Sequence, residues 1–254
     1  MKFRTRNSPG FTLIETVIAI GVLAVLLTGF MLVFTPAADG IRKAINIQLA
    51  DRMASTLEFE LGTLRSGESG NIVKTGFDKA YTFIEGSMSK PTPEVIFVYQ
   101  YRGDLKKVRP DGTMGPYLDK DGVAGKDYAV VTMARRRITT SGNGTAEDSN
   151  FKADLSALES RVFAVKTTQL VFSGGQLVES SIVKIADPTP GEVLPTVPAG
   201  AGVSDGYPEA VIAFSASFYG LPSSSYDYLK KSGGKFDSSK LKNPYFTRNL
   251  AVRR

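Results

Sequence analysis

Between Phe11 and Phe34 the chain runs for 24 residues with a single charged side chain, Glu15. As a helix this run would extend about 36 Å, at roughly 1.5 Å per residue. That is enough to cross a hydrocarbon layer of about 30 Å. In lipid the backbone must satisfy its own hydrogen bonds, so a lone segment of this kind can only be helical. Glu15 sits four residues into the run. A carboxylate at membrane depth costs at least a few kcal/mol and calls for a partner. A cut between Gly10 and Phe11 would supply one, because the new α-amino group of Phe11 is a cation at the same level.

Gly10 followed by Phe11-Thr12-Leu13-Ile14-Glu15 and an apolar helix resembles the N-terminus of type IV pilins and of type II secretion pseudopilins. The resemblance implies cleavage after Gly10 by a prepilin peptidase and N-methylation of Phe11. It also implies that Glu15 neutralises the N-terminus of a neighbouring subunit during assembly. The implied partners are other pilin or pseudopilin subunits, the prepilin peptidase, an inner-membrane assembly platform and membrane lipid. The implied location is the bacterial inner membrane, crossed once with a cytoplasmic N-terminus and a periplasmic head. A periplasmic pseudopilus or a cell-surface pilus follows. Behind the apolar run the chain resembles pseudopilin-like proteins of multi-gene cassettes in Verrucomicrobia. The resemblance says little about residues 70–254.

The segments then read as follows. Residues 1–10 are a leader: Lys2, Arg4 and Arg6 precede the apolar run and no acid does, which keeps this end cytoplasmic. Residues 11–34 are the transmembrane or filament-core helix, and Pro36 at its end removes a backbone donor and is expected to kink or melt it. Residues 35–65 continue as an amphipathic helix. Ile41, Ile45, Leu49, Met53, Leu57 and Leu61 recur every four residues, with Ala50 and Ala54 beside them and charges between. Residues 70–254 are a β-rich head. The expected fold class is α+β, a pilin-like lollipop whose long helix packs on an antiparallel sheet.

In the head, strands are expected at Tyr81–Ile84, Val95–Tyr101, Leu105–Val108, Tyr128–Ile138, 161–172, 176–186, Val211–Tyr219 and Phe246–Val252. Arg102-Gly103-Asp104 reads as a turn, and Ser173-Gly174-Gly175 as a hairpin loop. Residues 141–150, 187–208 and 222–244 read as loops. The last two are rich in proline and glycine, and in serine, lysine and glycine, respectively.

Composition narrows the function. Cysteine and histidine are both absent. That rules out disulfides and thiolate metal sites and removes the commonest general base. No spacing required by a nucleophile elbow or a phosphate loop occurs, so the chain is expected not to be an enzyme and to need no cofactor. Loss of the leader lowers the formal charge from +6 by three, to +3. A balance that modest does not argue for nucleic acid.

Two charged groupings stand out. Asp119-Lys120-Asp121-Gly122, with Asp127 beyond, offers oxygen ligands and a glycine turn, as calcium requires. The EF-hand spacing is not met, and a plain surface turn is the favoured reading. Arg135-Arg136-Arg137 lies on a strand, where Arg135 and Arg137 would share one face and Arg136 the other. A basic patch and a solvated, edge-protecting strand are both open, the second favoured. The large, loop-rich head points to a minor or specialised subunit. An uncleaved, membrane-anchored module that binds glycan, DNA or an acidic protein is the alternative.

Overall fold

A computed structural model describes residues 12–66, 73–88, 93–136, 146–194, 202–230, 238 and 241–254. Helix α1 (Leu13–Gly62) is continuous over 50 residues. It runs through Pro36 without a break, although the ring removes one backbone donor from the ladder. The chain divides into two compact units, Met1–Ile45 and Asn46–Arg254.

In the first unit the apolar part of α1 has no protein cover. Large side chains from Leu13 to Phe34 are exposed, and Phe30 stacks on Phe34 with ring centroids 5.0 Å apart. Among the described residues this is the one helix long and apolar enough to cross a membrane, judged by length and composition. Ile41 and Ile45, expected on the packed stripe, are exposed as well.

In the second unit the remainder of the expected stripe is realised. Ala50, Met53, Ala54, Leu57 and Leu61 are fully buried. They meet helix α2 (Gly76–Met88), whose Phe77, Ala80, Tyr81, Ile84 and Met88 recur at helical spacing on the same core. Tyr81–Ile84, expected as a strand, is therefore helical. The start of α2 is set by Thr75 and Asp78: the Asp78 N–H donates to Thr75 Oγ1, and the Thr75 N–H donates back to Asp78 Oδ2, both within 3.1 Å. This reciprocal pair is a capping box, which closes two orphan donors of the first turn.

Seven antiparallel strands form the sheet: β1 (Ile96–Val108), β2 (Met114–Pro116), β3 (Tyr128–Arg136), β4 (Phe163–Ser173), β5 (Gln176–Glu179), β6 (Val211–Gly220) and β7 (Phe246–Arg253). The order runs β2-β1-β4-β6-β7, with β3 paired to β1 and β5 to β4. Both faces of β1 are buried, and the two-residue period sorts its side chains between two cores. Ile96 and Val98 join α1 and α2, while Phe97, Tyr99 and Tyr101 join the opposite core. That second core holds Phe151 of helix α3 (Ala146–Ser156) and Leu229 of helix α4 (Tyr226–Lys230).

The strands differ from expectation in one instructive place. Arg102-Gly103-Asp104 is not a turn but the middle of β1. A Cβ on Gly103 would lie 2.6 Å from Val131 Cγ2 and 2.9 Å from Met114 Cβ. Glycine is needed there because the side chains of β2 and β3 close over the backbone, and the register with β2 shifts between Gly103 and Val108. Helices α3 and α4 fall partly in stretches expected as loops. Their polar sequences hide a short apolar stripe that only the second core explains.

Candidate functional site

The start of α1 is organised by Thr12. Its N–H donates to Glu15 Oε2 at 3.0 Å and its hydroxyl to the same oxygen at 2.9 Å. The Glu15 N–H donates back to Thr12 Oγ1 at 3.3 Å. Thr12 is thus the N-cap and Glu15 the third helical residue of a second capping box. The carboxylate also faces the positive end of the helix dipole. Within one chain, Glu15 is already hydrogen-bonded, and it still carries its charge at the head of an uncovered apolar helix. Gly10 and Phe11 lie outside the described residues.

Residues 5–31 match the family model of the prokaryotic N-terminal methylation motif. The N-terminus of this chain carries a prepilin-type methylation motif. None of the curated proteins matches the chain, and none of the solved structures does. The motif supports a prepilin-type protein with a methylated N-terminus, anchored by a single apolar span. The motif implies contact with a prepilin peptidase and with other pilin subunits. The match ends at residue 31, so the head stands on its own geometry.

The three aspartates of the proposed calcium loop do not converge. Asp119 Oδ1 accepts the Asp121 N–H at 3.0 Å, and Asp127 Oδ2 accepts the Val123 N–H at 3.0 Å. Each closes a local turn, and Asp119 also offers its carbonyl to Arg102. Among the described residues no three acidic side chains gather as metal ligands would.

Arg135 does not face solvent. It turns into the second core, where Asp154 of α3 is completely buried. Asp154 Oδ1 accepts from Arg109 Nη2, and Oδ2 accepts from the Tyr99 hydroxyl at 2.6 Å and from Arg135 Nε at 3.3 Å. Arg135 Nε reaches the Tyr99 oxygen as well, at 2.9 Å. Burial, with Asp154 beside it, pushes the Tyr99 hydroxyl well above its usual range, so it stays protonated and donates. The Tyr101 hydroxyl, raised to about 12 chiefly by burial, donates to the Met114 carbonyl at 2.7 Å. The cluster ties α3 to β1 and β3. Its two guanidinium groups flank the one buried carboxylate, and Asp111 lies close enough to add a second negative charge. The Arg136 side chain and Arg137 lie outside the described residues.

A second buried carboxylate, Asp78, was not singled out from the sequence. Beyond its box with Thr75, its Oδ1 accepts the Ser204 N–H at 3.0 Å and the Ser204 hydroxyl at 2.8 Å. Burial alone would raise its pKa. The hydrogen bonds from Ser204, Lys74 and Thr75 outweigh burial and hold it below the usual 3.8. Gly202 follows from this contact, since a Cβ there would lie 2.8 Å from Asp78 Oδ1. The Thr-x-x-Asp spacing was the visible signal for half of this site; Ser204, 126 residues away, was not.

Proposed function

We propose that this chain is a minor or specialised pilin- or pseudopilin-type subunit, a structural protein and not an enzyme. It is inserted in the inner membrane, cut between Gly10 and Phe11, methylated on Phe11, and assembled into a type IV pilus or a type II secretion-like pseudopilus. The observation that carries the reading is the charged capping box of Thr12 and Glu15 at the head of a bare apolar helix, inside the matched methylation motif.

Burial of the apolar helices against one another drives assembly. A carboxylate carried into that core needs a charged partner, because an unpaired buried charge is costly. The Phe11 amine of a neighbour has the required charge. Glu15 then exchanges its bonds within the cap for an intermolecular ion pair. The head, with its two cores and loop-borne ties, gives the subunit its particular surface.

The deciding experiment is the N-terminal residue and mass of the protein from its native membrane. A Phe11 start with one added methyl group supports the reading. An intact Met1 start, in cells with an active prepilin peptidase, refutes it and leaves a membrane-anchored binding module. Glu15→Ala should still be inserted and cleaved yet be missing from filaments.

A further inference from the structure

Helix α1 stays bare well beyond its apolar run. Over residues 13–45 every residue but Ala38 is exposed, and the second unit begins only at Asn46. At roughly 1.5 Å per residue, residues 13–34 extend about 33 Å and residues 13–45 about 50 Å. The shorter length matches a hydrocarbon layer of about 30 Å, and the longer one exceeds a bilayer with its headgroups, about 40–45 Å, by only a few ångströms. Residues 35–45 therefore have the length to cross a headgroup layer and end just outside it.

The same stretch has the chemistry such a layer takes. Arg42 and Lys43 are the only basic residues between Phe11 and Asp51. Ile41 and Ile45, one turn apart, stand beside them, 62% and 58% exposed. Long basic side chains near the end of a span lay their stems on apolar surface and carry their charge to the interface. Arg42 leans that way: its Nη1 lies 3.7 Å from Asp39 Oδ1, one turn nearer the apolar run. Helical side chains in general tilt toward the N-terminus. The Arg42 backbone lies about 12 Å along the helix from Phe34, so a guanidinium leaning back from it stands at phosphate depth. Its pair with Asp39 is exposed and long, and such pairs are worth little. A phosphate, by contrast, accepts two parallel bonds from one guanidinium.

Resting on the inner-membrane reading above, we propose that residues 35–45 lie in the outer headgroup layer, where Arg42 and Lys43 bind the phosphate of an anionic phospholipid. Two cations against one acid, Asp39, leave the stretch net positive, which favours an anionic headgroup over a zwitterionic one. The contact belongs to the anchored subunit and is given up when the helix leaves the bilayer for a filament.

The test places the full chain in vesicles of phosphatidylglycerol and phosphatidylcholine in equal parts, whose phosphorus resonances are followed separately. The chain has no cysteine, so one introduced thiol carries a single nitroxide label. A label on Val25→Cys reports insertion, and one on Ala44→Cys reports the proposed layer. The label at position 44 should broaden the phosphatidylglycerol resonance about fivefold more than the phosphatidylcholine one. Arg42→Gln combined with Lys43→Gln, both outside the cores of the head, should bring the two resonances to equal broadening. A label at position 25 that meets a water-soluble relaxation agent overturns the membrane reading and the lipid contact with it. With that label buried, equal broadening of both lipids by the otherwise unaltered chain, or a preference that survives the double substitution, overturns the contact and leaves the membrane reading standing. Dipolar coupling between position-44 labels on two copies, without a lipid preference, gives the basic pair to a protein neighbour and overturns the contact as well.

Discussion

At the scale of single residues, Asp154 and Asp78 stand out among the buried carboxylates of the head for their different partners. Asp154 is balanced by two guanidinium groups and a tyrosine hydroxyl. Asp154→Ala strands both cations in a dry core and should destabilise the head by about 3–5 kcal/mol. Tyr99→Phe removes one donor and should cost about 1–3 kcal/mol. Chemical denaturation of the detergent-solubilised chain measures both, and equal losses from the two variants would contradict the charge balance described. Asp78 is held by neutral donors, with its folded pKa below the ordinary 3.8. Its contribution is therefore complete above that value and is lost as pH falls through the lower, folded value. Stability followed from pH 6 down to pH 2 should show an acid limb that Asp78→Asn flattens. Glu15 was singled out from the sequence, but neither its cap with Thr12 nor that of Asp78 with Thr75 was read there, although both pairs stand at capping-box spacing. Arg135 was not legible, because its orientation is set by Asp154, 19 residues away in another element.

Among elements, the closest approach lies where α1 ends and α2 begins. A Cβ on Gly76 would fall 1.8 Å from the carbonyl oxygen of Gly62. The Lys79 ammonium donates to the Thr63 carbonyl at 2.8 Å and caps the same end. Gly76→Ala must push backbone from backbone and should cost about 1–3 kcal/mol or more. Gly62, whose Cβ would meet only Val252 Cγ1 at 3.7 Å, is the matched control. Similar losses at both positions, read by thermal unfolding, would refute the contact. Strand existence was readable from alternation and β-branched runs. Strand identity failed at Tyr81–Ile84, because four apolar and aromatic residues look the same at either period until Phe77 and Met88 extend the helical stripe. The turn expected at Arg102-Gly103-Asp104 failed for the converse reason: glycine served close approach by Val131 and Met114, not chain reversal.

For the whole molecule, the two units carry separate demands. The first holds the apolar, uncovered part of α1, and the second folds around the part of α1 that lies beyond Ile45. A chain starting at Asn46 keeps Met53, Leu57 and Leu61 and should unfold cooperatively. One starting after Gly62 loses all three core residues at about 2–5 kcal/mol each, comparable to a typical total stability of about 5–15 kcal/mol. Cooperative folding of that shorter chain would refute the assignment of α1 to the core. The sequence by itself determined the apolar helix, its one carboxylate, and an α+β class without disulfides. These depend on composition and on spacings within a few residues. Tertiary structure alone decided which strands are neighbours and that Arg135 faces inward. Those outcomes depend on groups brought together from far along the chain, where burial and charge pairing act only after the fold exists.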